Sequence, residues 1–152
     1  MADSTKILNN LRRQCSRREY CTADVMKKAL KALEGNREEA QKIVNILIEE
    51  RYVDDLRYAE AYARDKASIA GWGVTKIRYM LSAKGVDREL ISAALLEIDQ
   101  RKADDRLVKL IENKKRSLKD DPQARMKILR FALGRGYTYD EISAVLKDYE
   151  EI

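Results

Sequence analysis

The stretch NREEAQKIVNIL at residues 36–47 decides the fold, because its pattern occurs three times in the chain. It returns as DRELISAALLEI at residues 87–98 and as TYDEISAVLKDY at residues 138–149, with a spacing of 51 residues. The first residue of each stretch is Asn, Asp or Thr, and these residue types favour the N-cap of a helix. The sequence therefore predicts one helix that is used three times.

Apolar residues lie four, seven, eight and eleven positions after Asn36, Asp87 and Thr138, and these offsets form one face of an α-helix. A repeat of this length indicates one supersecondary unit whose copies stack to share a core. The residues of the predicted face are Ala40, Ile43, Val44 and Leu47, then Ile91, Ala94, Leu95 and Ile98, then Ile142, Val145, Leu146 and Tyr149.

Each repeat predicts three helices, the last two of which are joined by a very short turn. In the second repeat, Gly85 is predicted to end the middle helix in a left-handed conformation. In the third repeat, Thr138 and Glu141 predict a capping box, and Asp121-Pro122 predicts an N-cap followed by proline at the first helical position. The predicted fold is all-α, with three tandem three-helix repeats in an elongated array. The predicted repeats are residues 1–51, 52–101 and 102–152.

The composition argues against an enzyme. The chain of 152 residues carries a net charge of +5 and has no histidine, which removes the commonest general base and metal ligand. No phosphate-binding loop of the form G-x-x-x-x-G-K-[ST] is present. Cys15 and Cys21 fit neither a metal site nor a disulfide framework and are predicted to be reduced thiols. We expect no cofactor and no metal.

A cytoplasmic location is expected, because Met1 is not followed by an apolar signal region and no apolar run is long enough to span a membrane. The modest basic excess permits contact with nucleic acid without requiring it. Sequence-specific reading of duplex DNA is disfavoured, because residues 88–97 hold one cation and two carboxylates.

The middle repeat holds the candidate binding residues, and two interpretations stay open for them. Trp72, the single tryptophan, either packs in the core or anchors a partner. Arg57 and Arg64 either form ion pairs with Glu60 along one helix or contact a partner. Lys76 lies beside aromatic residues, a combination that suits phosphate or an acidic protein groove.

Several ordered motifs resemble the RecX family, bacterial regulators of the recombinase RecA. Tyr52–Ala59 (YVDDLRYA) is similar to the family's aromatic-x-Asp-Asp-x-Arg-aromatic segment. Gly71-Trp72-Gly73, followed by Lys76 and by Lys84-Gly85, resembles its glycine-aromatic-glycine and Lys-Gly run. RFALGRGY at residues 130–137 continues the likeness, and Arg17–Tyr20 (RREY) is similar to a basic segment in the first repeat, although Cys21 stands where serine is usual.

The resemblance implies a curved array that binds RecA–single-stranded-DNA filaments and suppresses their ATP hydrolysis, strand exchange and co-protease activity. We expect a monomer without a membrane anchor that also contacts DNA through its basic faces. The alternatives are a nucleic-acid-binding module that acts without RecA and a helical scaffold for another protein. The predicted partner-binding residues are Arg57, Arg64, Trp72, Lys76, Arg78 and Lys84.

Overall fold

The structure, a computed structural model, describes residues 3–150, including the side chains of residues 3–147. Nine α-helices and no strand occur in this part of the chain, which confirms the all-α prediction. None of these helices is both long and apolar enough to cross a membrane. The helices are α1 (Ser4–Arg17), α2 (Thr22–Ala32), α3 (Arg37–Glu49), α4 (Asp55–Ser68), α5 (Val74–Ala83), α6 (Arg88–Leu95), α7 (Gln100–Ser117), α8 (Ala124–Gly134) and α9 (Tyr139–Glu150).

The three predicted helix starts are confirmed. The Asn36 side chain accepts a hydrogen bond from the Glu39 N–H at 3.2 Å, and α6 begins directly after Asp87. At the start of α9, the Glu141 N–H donates to Thr138 Oγ1 at 3.1 Å, and the Thr138 N–H donates to Glu141 Oε1 at 2.8 Å. This reciprocal pair is the predicted capping box, and it satisfies two backbone donors that the helix itself leaves unpaired.

The predicted apolar face is buried for all of α3, and it is shorter in α6. That helix ends at Leu95, where a tighter turn begins with the Ile98 N–H donating to the Leu95 carbonyl at 3.2 Å. Ile98 is therefore not part of the helix, which corrects the prediction at offset eleven, and the Tyr149 side chain lies outside the described residues. The buried members of the face in α6 and α9 are Ile91, Ala94, Ile142 and Leu146.

The prediction for Asp121-Pro122 is wrong. Helix α8 begins at Ala124, two residues after Pro122. Asp121 instead accepts the Gln123 N–H at 2.8 Å and the Lys127 ammonium at 2.5 Å, so its carboxylate closes a turn before the helix. The bond from Lys127 lowers the pKa of Asp121 below its usual range.

The chain divides into two compact units, and the division passes through α4 and α5. The first compact unit contains residues up to Ala61 together with Leu81–Ala94, and the second contains Tyr62–Met80 together with the residues from Leu95 onward. Helices of the middle repeat therefore contribute to both units. The repeat boundaries at residues 1–51, 52–101 and 102–152 stay a prediction.

Each unit has its own apolar core. In the first unit, α1, α2 and α3 bury residues such as Leu11, Val25 and Leu47. In the second, α7, α8 and α9 bury residues such as Ile111 and Ile142. Removal of this apolar surface from water is the main favourable term in folding. Cys15 and Cys21 are free thiols, as predicted, and burial raises the pKa of both.

Candidate functional site

The segment between α4 and α5 holds Trp72 in a fixed position. The Gly73 N–H donates to the Arg135 carbonyl at 2.8 Å, and the Thr75 N–H donates to the Gly136 carbonyl at 3.1 Å. These carbonyls belong to the turn between α8 and α9. They satisfy N–H groups at the beginning of α5 that have no partner inside that helix. Trp72 is therefore attached to a rigid junction within the second unit.

Two glycines allow the backbones to approach at this junction. A Cβ atom on Gly73 would lie 2.4 Å from the Gly136 carbonyl oxygen, and one on Gly136 would lie 2.3 Å from the Lys76 Cβ. Gly136 also has a φ angle of +100°, which disfavours residues with a side chain. The second glycine of the Gly-Trp-Gly motif is thus required by a close backbone approach.

The Trp72 ring is half-buried and lies among an aromatic ring and two ammonium groups. The Tyr62 ring meets it edge-on at 6.4 Å between centroids. The Lys76 Nζ lies 4.4 Å and the Lys66 Nζ 4.8 Å from its centroid, within the range of cation–π attraction. We call Tyr62, Lys66, Trp72 and Lys76 the Trp72 site. Trp72 packs against Tyr62 but remains partly exposed, so the two interpretations, a core residue and an anchor for a partner, both stay open.

A second ring in the same unit carries two cations. The Lys114 Nζ lies 4.6 Å and the Arg135 guanidinium carbon 5.1 Å from the centroid of Phe131. The Arg135 side chain also donates to the Ala70 carbonyl at 3.3 Å, which links this cluster to the segment that carries Trp72. We call Lys114, Phe131 and Arg135 the Phe131 site.

The first unit repeats the arrangement at Tyr20. The Arg18 guanidinium carbon lies 4.5 Å and the Lys28 Nζ 4.9 Å from the centroid of its ring. Tyr20 stands two residues before the first residue of α2, and Trp72 stands two residues before the first residue of α5. The same place in two repeats therefore carries an aromatic ring with two cations. We call Arg18, Tyr20 and Lys28 the Tyr20 site, and the three sites together the ring sites.

The cations of the ring sites lie over aromatic rings. Some cations elsewhere pair with carboxylates instead, as Lys84 does with Asp24 at 3.3 Å and Lys42 with Glu39 at 3.3 Å. Within the described residues, no ion pair with a carboxylate involves any of the six ring-site cations. Besides their rings, Lys76 donates to the Gly134 carbonyl at 3.5 Å and Arg135 to the Ala70 carbonyl at 3.3 Å. These surfaces suit an anionic ligand.

Arg57 makes several contacts within the first unit. Its Nε donates to Glu19 Oε1 at 2.7 Å, and its Nη2 donates to the carbonyls of Arg51 and Tyr52 at 3.1 and 3.3 Å. It thus ties α4 to the segment before α2 and to the end of α3. The carboxylate that Arg57 contacts is Glu19, so the predicted alternative of a pair with Glu60 is not the observed arrangement.

The two carboxylates that precede Arg57 are helix caps. Asp54 Oδ1 accepts the Arg57 N–H at 3.0 Å and caps α4. Asp55 Oδ1 accepts the Thr22 N–H at 2.7 Å and the Thr22 hydroxyl at 3.0 Å, so it caps α2, whose own N-cap residue, Cys21, supplies no side-chain bond. The Asp-Asp-x-Arg motif therefore connects helices of the first unit.

The remaining predicted residues are separated by their surroundings. Arg64 and Arg78 are exposed in the second unit, where Trp72 and Lys76 contact each other. Lys84 lies in the first unit in its ion pair with Asp24. Within the predicted set, Trp72 and Lys76 are in direct contact.

Of the six ring-site cations, only Lys76 was among the predicted partner-binding residues. Lys66 precedes Trp72 by six residues, a spacing without helical meaning, and Lys114 and Arg135 meet Phe131 from α7 and from the end of α8. The available signals were the basic run Lys114–Arg116 and the basic segment before Tyr20.

Family models and known proteins that match this chain all point to one family. The domain described as "RecX, second three-helix domain" matches residues 54–95, and "RecX, third three-helix domain" matches residues 103–146. A protein named "Regulatory protein RecX" from Clostridium botulinum (strain Alaska E43 / Type E3) is 35% identical over 121 residues, which cover 76% of this chain and 56% of that relative. The chain thus spans little more than half the length of that relative.

Two further proteins match over nearly the whole chain. A "Regulatory protein RecX" from Pectobacterium atrosepticum is 28% identical over 144 residues, covering 93% of this chain and 87% of that one. The crystal structure of RecX from Lactobacillus salivarius superposes with a TM-score of 0.86 at 25% identity, covering 98% of this chain and 97% of that one.

Proposed function

Because the chain belongs to the RecX family of regulatory proteins, we propose that it binds filaments of the recombinase RecA on single-stranded DNA and inhibits their ATPase, strand-exchange and co-protease activities. The observation that carries the proposal is the match of two family domains over residues 54–95 and 103–146. The ring sites add support, because cations without carboxylate partners suit an assembly that contains DNA phosphate. A filament of this kind assembles in the cytoplasm, and we place the protein there.

The proposed inhibition needs no chemistry from this chain. A bound protein shifts the equilibrium of its partner only by its difference in affinity for the partner's states. If the protein binds one state of the filament more tightly, it slows each step of the ATPase cycle that leaves this state. The absence of histidine and of a phosphate-binding loop from the sequence agrees with such a non-enzymatic role.

The proposed contact residues differ in which existing bonds they would have to break in order to bind a partner. Arg64 is exposed, and Lys76 and Trp72 form the partly exposed Trp72 site, where Lys76 would give up only a long bond to the Gly134 carbonyl, at 3.5 Å, and its contact with the ring. Arg57 and Lys84 could do so only by giving up their bonds to Glu19 and Asp24. We therefore place the main contact on Arg64, Trp72, Lys76 and the exposed Arg78, with Arg57 and Lys84 as secondary candidates.

The proposal is tested by titrating the protein into RecA that is hydrolysing ATP on single-stranded DNA. We expect turnover to fall with added protein, while the protein alone hydrolyses no ATP. RecA turnover that stays unchanged at saturating protein, with filaments confirmed by light scattering, would refute the proposal.

The contact residues are tested with the double substitution Arg64→Glu and Lys76→Glu. Each lost charge-assisted bond is worth about 1.5–3 kcal/mol if it is made in the complex, or roughly tenfold or more in the inhibiting concentration. The matched control is Lys6→Glu with Lys109→Glu, because both lysines are exposed and contact no ring. Equal inhibition by the two variants would move the contact to other residues while leaving inhibition itself established.

A further inference from the structure

We propose that copies of this chain bind one another. In this contact, Leu96 of one copy enters an apolar groove beside α3, α4 and α6 of the next copy, and Glu97 pairs with Arg51 at the edge of that groove. The inference goes beyond the proposed function, because the contact between copies needs neither RecA nor DNA. We call the groove the Ile48 groove, after its most exposed apolar residue.

The Ile48 groove is an apolar surface of the first unit that lacks a cover. It has a volume of about 540 Å³, and its apolar lining consists of Ile48, Val53, Leu56 and Leu90. Val53 is buried and belongs to the core of the first unit, whereas Leu56 and Leu90 are half-buried and Ile48 is 42% exposed. Covering such a surface with another apolar side chain is favourable, because it removes both from water.

The charges at the edge of the groove decide which occupant it suits. Asp54 and Asp55 line it, but each already accepts a backbone N–H at the start of a helix, from Arg57 at 3.0 Å and from Thr22 at 2.7 Å. The partial positive charge of a helix N-terminus offsets a carboxylate in that position. Arg51 is exposed and, in the part of the chain that the structure describes, forms no ion pair with a carboxylate. The groove therefore suits an apolar side chain that is accompanied by a carboxylate.

The position of Arg51 on this edge is fixed by its backbone. Its N–H donates to the Ile48 carbonyl at 3.0 Å, and its own carbonyl accepts a bond from Arg57 Nη2 at 3.1 Å. The Arg51 side chain is thus anchored three residues after Ile48, and little backbone freedom remains to be lost when a partner binds.

The turn between α6 and α7 presents the required combination of side chains. Leu96 is 85% exposed, and the exposed Glu97 follows it. Among the residues that the structure describes, Glu97 forms no ion pair with a cation. Ile69 and Tyr79 are exposed to a similar degree, at 83% and 72%, but uncharged residues follow both. Leu96 with Glu97 is therefore the better match to the Ile48 groove and Arg51.

This turn is also held in place on both sides. The Ile98 N–H donates to the Leu95 carbonyl at 3.2 Å, and the Asp99 side chain caps α7 by accepting the Lys102 N–H at 3.2 Å. The leucine and the carboxylate are thus presented by a rigid turn, which lowers the entropy cost of binding.

The contact is small, and its strength follows from its size. Interfaces below about 1,200 Å² are typical of weak and transient contacts, so we expect a monomer in dilute solution and association at high concentration. Neighbouring copies on one RecA filament would meet at effective concentrations on the order of millimolar. The same contact would then make binding to the filament cooperative.

The measurement is sedimentation velocity of nuclease-treated protein, without RecA, at concentrations up to about 1 mM, where weak contacts are populated. Leu96→Ser should weaken association about tenfold or more, because burial of a leucine contributes a factor of this size. The matched control is Ile69→Ser, which removes an equally exposed apolar side chain and should leave association unchanged. Equal weakening by both variants would overturn the inference, because it would show general apolar association.

Charge reversal tests the pairing of Arg51 with Glu97. Arg51→Glu and Glu97→Arg should each weaken association about threefold, the range of an exposed ion pair, and the two together in one chain should restore it. Lys6→Glu makes the same change of charge at another exposed position and should have no effect. Failure of the double variant to restore association, with unchanged circular dichroism spectra, would refute the pairing.

Two further outcomes would overturn the inference as a whole. A protein that stays monomeric up to about 1 mM does not make the contact. Association that appears only when oligo(dT) is added would show that nucleic acid joins the copies. The RecA ATPase assay tests the proposed function separately, so either proposal can fail while the other stands.

Discussion

The contact between the start of α5 and the turn before α9 depends on glycine at position 136, and Gly136→Ala tests it. A Cβ atom there would lie 2.3 Å from the Lys76 Cβ and 2.8 Å from the Gly73 carbonyl oxygen. These distances are far below van der Waals contact, and one of the partners is backbone that cannot rotate away. The substitution must therefore separate the two backbone segments or strain them.

The expected cost has two parts. A side chain at φ +100° costs about 1–3 kcal/mol in backbone strain. The overlap with the Gly73 and Lys76 atoms adds about 1–3 kcal/mol, as overpacking does in other well-packed places. The sum is about 2–6 kcal/mol, a large share of the roughly 5–15 kcal/mol that stabilises a typical domain.

Two other glycines isolate these parts. Gly71 has a φ angle of +71° and open space where a Cβ would stand, so Gly71→Ala should cost the strain alone, about 1–3 kcal/mol. Gly134 is the last residue of α8, also faces open space and has no positive φ, so Gly134→Ala should raise stability by about 0.4–1 kcal/mol.

The assay is urea unfolding followed by circular dichroism, with the m-value checked for each variant. The order of stability should be Gly134→Ala, the unchanged protein, Gly71→Ala and then Gly136→Ala. Equal losses for Gly71→Ala and Gly136→Ala would show that the close approach at Gly136 contributes nothing, and the explanation of the Gly-Trp-Gly motif by backbone proximity would fall with it.

Two predictions concern helix caps. Thr138→Ala removes the oxygen that accepts the Glu141 N–H, so it should cost about 1 kcal/mol and lower the melting temperature by about 2–4 °C, and an unchanged melting temperature would contradict the capping box. Asp55→Ala removes the cap of α2 from a neighbouring helix and should cost about 1–2 kcal/mol in urea unfolding, whereas Asp105→Ala, at an exposed position, should stay within about 0.5 kcal/mol of the unchanged protein.

The parts of the fold that the sequence predicted are those that depend on neighbours within one turn of helix. The caps at Asn36 and Thr138 act on residues three positions away, and the apolar face repeats every three or four residues. The left-handed glycine at position 85, with a φ angle of +80°, belongs to the same class. Contacts between residues only a few positions apart can be predicted from the order of the residues alone.

The contacts that the sequence did not predict join residues that are distant along the chain. Arg57 meets Glu19 across 38 positions, and Asp55 caps Thr22 across 33. No spacing rule relates such pairs, and only the packing of α2, α3 and α4 brings them together. Pro122 is a different case. Asp121-Pro122 is a local signal for a helix start, but Asp121 closes a turn instead and α8 begins at Ala124.

The family motifs prove to be mostly structural, and this separates the scaffold from its ligand contacts. Asp55 and Arg57 join helices of the first unit, and Gly73 with its partner Gly136 permits a close backbone approach in the second. Family resemblance in these residues therefore accounts for the shared fold. Of the contacts that we propose, Trp72 and Lys76 belong to those motifs, whereas Arg64 and Arg78 stand outside them.

This separation has a physical consequence for the cations. A lysine over a ring contributes little to stability, so changing it leaves the scaffold intact, whereas a side chain at Gly136 would overlap the backbone beside Lys76 and so disturb the packing at the Trp72 site.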